Sequence, residues 1–123
     1  MFSMNYQIIQ ISNRSYLECL PGHPRLTGGE AALDLVVACG QNNTNKLLLH
    51  AENFTDDFYR LRTGVAGEIL QKFSTYRIQV AAVLTPELVN QGRFREMVLE
   101  ANRGNQFRVF YNRESAEQWL VGV

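Results

Sequence analysis

Arg77-Ile78-Gln79-Val80-Ala81-Ala82-Val83-Leu84, closed by Thr85-Pro86, decides how the rest of the chain is read. From Val80 to Leu84 the run is apolar without a break, which suits a short strand covered on both faces by other elements. Such a strand belongs in the interior of a parallel sheet. Lys46 to His50 reads the same way through Leu47, Leu48 and Leu49, and the two strands are expected to lie side by side.

Working outward, Asn5 to Ile11 and Ser15 to Leu20 are rich in β-branched and aromatic residues, and Ser12-Asn13-Arg14 between them reads as a hairpin connection. This pair belongs at an antiparallel edge. Pro21 to Arg25 holds two prolines and is a loop. Thr27-Gly28-Gly29-Glu30 has capping-box spacing, which predicts a helix start at Thr27, with Ala32, Leu35, Val36 and Cys39 on its inner stripe and Gly40 as its stop. The other side carries Ala31, Leu33, Val37 and Ala38, with Asp34 the only charge between Ala31 and Cys39. A helix apolar nearly all round asks for a second cover, so Leu33 and Val37 are expected to meet a protein partner or a second subunit.

Thr55-Asp56-Asp57 predicts a short helix to about Leu61. Thr63 predicts the cap of a longer one that buries Ala66, Ile69, Leu70 and Phe73, with Gly64 and Gly67 in its first turn for close packing. Beyond the central strand, Gln91 to Arg103 reads as a helix ended by Gly104, Gln106 to Tyr111 as a strand, and Glu114 to Leu120 as a helix capped by Asn112. The order is ββαβαβαβα. It predicts one α/β domain over residues 1–123, a mostly parallel five-stranded sheet with helices packed against it.

Composition narrows the function classes. Twelve basic side chains balance twelve acidic ones, so no overall field favours a nucleic acid. Residues 1–57 carry three basic and six acidic groups and residues 58–123 nine and six, enough for local steering only. No apolar run approaches the ~20 residues of a membrane span, and no secretory signal opens the chain. Cys19 and Cys39 lie in apolar runs without redox spacing and read as reduced, buried thiols. A cytoplasmic protein is expected.

The candidate site gathers His50, Glu52, Asp56, Asp57, Arg60, Arg62, Thr63 and Gly64, because the carboxyl ends of parallel strands form a crevice and a helix start offers amides to an anion. His50, Glu52 and the two aspartates lack the fixed spacing of a metal site, and no metal or other cofactor is expected. His23 reads as a solvated loop residue. Glu96 and Glu100, near Arg93, Arg95 and Arg103, read as a solvated helix face, and Glu68 and Lys72 as an i,i+4 pair. No nucleophile stands in a recognisable activated setting.

Asp57-Phe58-Tyr59-Arg60-Leu61-Arg62-Thr63-Gly64-Val65-Ala66-Gly67-Glu68-Ile69-Leu70-Gln71-Lys72-Phe73, with Tyr76 and Glu100-Ala101-Asn102-Arg103-Gly104, resembles a bacterial domain-of-unknown-function family, number forty-one eighty. No activity comes with that resemblance. The element order and the Thr63-Gly64-Val65-Ala66-Gly67 turn are also similar to STAS domains, typified by SpoIIAA-like anti-sigma-factor antagonists. In those, an Asp-Ser-Ser/Thr-Gly helix start carries a regulatory phosphoserine; here Leu61 and Arg62 stand at the acidic and serine positions. The reading is a non-catalytic regulatory or protein-interaction domain. The alternative is a domain, or an enzyme, that holds a small anion such as a nucleotide or phosphate before the second long helix.

Overall fold

The computed structural model describes residues 5–122. In it, β3 (Lys46–His50) and β4 (Gln79–Val83) pair in parallel, with Leu48 opposite Ala81. β1 (Tyr6–Ile11) pairs antiparallel with β2 (Arg14–Cys19), and β2 and β5 (Phe107–Phe110) flank the central pair in parallel. The strand order is β1-β2-β3-β4-β5.

That sequential order determines the layers. Right-handed crossovers that always add the next strand on the same side leave their helices on one face. α1 (Gly29–Gln41), α3 (Val65–Thr75) and α5 (Gly92–Ala101) share one core with Leu17, Leu47, Leu49, Val80, Ala82 and Val109. The opposite side chains of the same strands, Tyr16, Leu48 and Ala81, pack on Ala116, Leu120 and Val121 of α6 (Arg113–Val121). Two-sided burial is why β3 and β4 needed unbroken apolar runs. Two short helices complete the chain, α2 (Asp56–Tyr59) and α4 (Pro86–Val89). No helix among the described residues is long and apolar enough to cross a membrane.

Local starts and stops depart from expectation where a distant residue intervenes. α1 begins at Gly29, not Thr27, and Gly28 is its N-cap with no side-chain bond of its own. The capping box does not form. Instead Glu68, from α3, accepts the Gly29 amide at 2.6 Å, supplying from another helix the negative charge that the α1 dipole favours. Glu68 therefore serves α1, and no ion pair to Lys72 forms. Gly40 lies inside α1, which ends at Asn42, where the amide side chain returns to the Ala38 carbonyl at 2.8 Å.

The expected helix from Gln91 to Arg103 is shorter and has a companion. Thr85 caps α4 by accepting the Leu88 amide at 3.3 Å, with Pro86 in the first turn. The chain then breaks at Gly92, φ +47°, before α5 runs to Ala101. Gly104 is not a left-handed stop; Asn102 ends the helix and ties it to β5, its side chain accepting the Val109 amide at 2.8 Å. Asn112 caps α6 as expected, accepting from Ser115 at 2.8 Å.

Candidate functional site

Between the end of β3 and α3 the chain makes α2 and a tight 3-10 turn at Leu61–Thr63. Phe54 stacks on Phe58 at 4.1 Å between ring centres, and Tyr59 meets Phe94 edge-on at 5.1 Å. Such pairs add about 0.5–1.5 kcal/mol each beyond burial. They join the β3–α3 connection to the start of α5.

A crevice of about 730 Å³ opens where those connections meet, with Tyr59, Leu61 and Phe94 as apolar floor and Arg60, Arg62 and Arg93 around it. Thr63 and Gln91 complete the lining. All three arginines are exposed, and none is in an ion pair among the described residues. Three guanidiniums around an apolar floor form a local positive site on a protein of zero net charge. Burial, with Glu52 and Asp56 nearby, pushes the Tyr59 phenol above its ordinary range, so it stays neutral, and it donates to the Ala51 carbonyl at 3.3 Å.

Thr63 does not cap α3. Its hydroxyl lies 2.7 Å from the Asp57 carbonyl and 2.9 Å from that of Arg60, and it accepts the Val65 amide at 3.2 Å. It stitches the turn that presents Arg60 and Arg62. Gly64 is the N-cap at φ +80°, a left-handed conformation that glycine adopts without the cost of a Cβ clash.

His50 and Glu52 do not join this crevice. The pleat turns His50 to the α6 face, where its Nε2 sits 2.9 Å from Oε2 of Glu18. Glu52 lies in the turn Ala51–Asn53, outside the arginine lining. The structure thus gathers Arg60, Arg62, Thr63 and the adjoining Gly64, adds Gln91 and Arg93, and separates off the other two.

The cluster around Glu18 went unread in the sequence. Arg113 clasps the Glu18 carboxylate with Nη2 at 2.7 Å and Nε at 3.0 and 3.1 Å, and also donates to the Tyr16 hydroxyl at 2.8 Å. Tyr16 in turn donates to Glu117 at 2.5 Å. Burial pushes the Glu18 carboxyl up, but the hydrogen bonds from Arg113 and His50 and the Arg113 charge prevail, and it ends below its usual value. Every partner is spoken for. The arrangement clamps α6 to the sheet.

Asn53, fully buried, was also missed. Its amide donates to the Leu20 and Pro24 carbonyls at 2.9 and 3.0 Å, and its oxygen accepts the His50 amide at 2.8 Å. It pins the loop after β2 to the end of β3.

On α1, Val37 is 56% exposed and Leu33 half-buried, so this part of the expected contact surface is open. Cys19 and Cys39 are buried, free thiols, and burial pushes each up to about 12. A second cavity of about 540 Å³, between α3 and α5, has walls of Leu70, Phe73 and Phe107 with Glu100 at its margin and no cationic donor.

No curated protein and no solved structure matches the chain. A family model does, over residues 11–120. The chain therefore belongs to the family described as Domain of unknown function (DUF4180).

Proposed function

We propose that this chain is a non-catalytic regulatory domain of the bacterial cytoplasm that binds a small anion, a phosphate ester or nucleotide, in the Arg60/Arg62/Arg93 crevice. The observation that carries the reading is the convergence of those three unpaired guanidiniums on one concavity. Guanidinium forks match phosphate and carboxylate oxygens in pairs. The likeness of the Thr63–Gly67 turn to STAS domains supports the regulatory half: where those domains carry a phosphoserine, Arg62 would read an anion instead.

Calorimetric titration with inorganic pyrophosphate and with adenosine diphosphate tests this at low salt. Arg62→Ala and Arg93→Ala are each expected to weaken binding by about tenfold or more, as befits the loss of one charge-assisted contact of ~1.5–3 kcal/mol. Absence of binding by the intact protein, or variants that bind as tightly as the intact protein, would refute the reading. A second reading, a protein contact on the outer side of α1, is favoured by the exposure of Val37 beside Leu33. For that surface Val37→Glu should abolish the association while leaving the anion titration unchanged.

A further inference from the structure

We infer that β1 is a self-pairing edge: two copies of this chain associate by antiparallel β1–β1 pairing about a two-fold axis at Ile8, extending both sheets into one. β1 is the outermost strand of the sheet, and its inner side is fully engaged with β2 in the register Tyr6 to Cys19 through Ile11 to Arg14. Opposed residues in an antiparallel pair alternate between those that exchange backbone hydrogen bonds and those that do not. The Leu20 amide bonds the Asn5 carbonyl at 2.9 Å, so Asn5, Gln7, Ile9 and Ile11 turn their backbone groups toward β2. Tyr6, Ile8 and Gln10 turn theirs outward.

Three observations favour a second copy as the occupant. First, the outward residues are centred on Ile8, so a two-fold there sets Ile8 opposite Ile8 and Tyr6 opposite Gln10, every pair meeting on bonding positions and on the same sheet face. Second, Asn5 to Asn13 contains no charged residue, so identical strands meet without like-charge repulsion. Natural edges are usually guarded by lysine, proline or a bulge, and β1 has none of these guards. Third, the other edge is protected: β5 is only four residues long and carries Arg108, whose guanidinium lies 5.3 Å from the Trp119 ring centre. Ile8 is itself 37% exposed at the point where the axis would pass.

A six-residue edge buries less than the ~1,200 Å² typical of stable complexes, so the dimer is concentration-dependent. Sedimentation equilibrium of the full chain up to about 1 mM is expected to show a reversible monomer–dimer transition. Ile8→Lys sets two ammonium groups face to face and should weaken the dimer about tenfold or more, while an equimolar mixture of Ile8→Lys and Ile8→Glu should recover it. Val37→Glu should leave it unchanged. A strict monomer throughout, a dimer indifferent to Ile8→Lys, a mixture that fails to re-associate, or a dimer dissolved by Val37→Glu would each overturn the inference. Far-UV circular dichroism confirms that each variant retains its fold, and recovery in the mixture separates lost pairing from lost structure.

Discussion

Arg113→Ala is expected to cost about 3 kcal/mol of folding stability, toward the lower end of the range for breaking a buried ion pair. Glu18 is the reason. Its side chain is only 7% exposed, and without the guanidinium its charge would keep a single partner, His50. Arg113 is 41% exposed, so water can enter the vacated space and hold the loss below the upper end of that range. Tyr16 would also lose a donor, and α6 would lose its hold on the sheet. Urea denaturation followed by Trp119 fluorescence reads the change directly. The same network makes stability depend on pH. Because the folded Glu18 value is depressed, its contribution is complete above the unfolded carboxyl value near ~4.3 and disappears as pH falls through the lower folded value. Glu18→Gln should therefore flatten the acid limb of the stability curve below that point, even though the substitution destabilises the protein at neutral pH.

Asn53→Ala should be similarly damaging, by about 3 kcal/mol, because it removes three hydrogen bonds that a fully buried side chain makes to the backbone. Each lost hydrogen bond to a buried group costs about 1 kcal/mol or more. The Pro24 carbonyl loses its side-chain donor, the Leu20 carbonyl keeps only the His23 amide at 3.0 Å, and the His50 amide loses its side-chain acceptor. Asn53→Asp makes the argument sharper. The carboxylate could still accept from His50 but could donate to neither carbonyl, and it would bring a charge into a fully buried position. It should be at least as destabilising as alanine in the same urea titration, whereas a side chain that merely filled space would tolerate this near-isosteric change.

The order of elements was legible because it is written in local patterns. Leu47 to Leu49 and Val80 to Leu84 announce two-sided strands, and Asn112 announces the start of α6. What escaped is held by pairs distant in sequence. Arg113 reaches Glu18 across 95 positions, and Glu68 reaches the Gly29 amide across 39, displacing a nearer glutamate that had the right spacing for the task. A hint was present: Tyr16 and Glu18 share one face of a strand otherwise filled by Leu17 and Cys19, and a carboxylate there requires a partner. The partner had no local signal. Arg60 and Arg62 are legible because they lead directly into the Thr63-Gly64 turn. Arg93 is not, since its place in the crevice depends on the β3–α3 and β4–α5 connections lying side by side. His50 was grouped with them because it ends β3, but a strand's period of two sends it to the opposite face.

The proposed anion crevice lies on the side of α3 and α5, and the Glu18–Arg113 clamp lies under α6. Amide and side-chain chemical-shift mapping of the intact chain during titration with inorganic pyrophosphate distinguishes the two regions. Saturable shifts are expected at Arg60 to Gly64 and Gln91 to Phe94, with the His50 ring and the Arg113 Nε–H unmoved. Shifts centred on His50, Glu18 and Arg113, with the arginine crevice silent, would contradict the proposal.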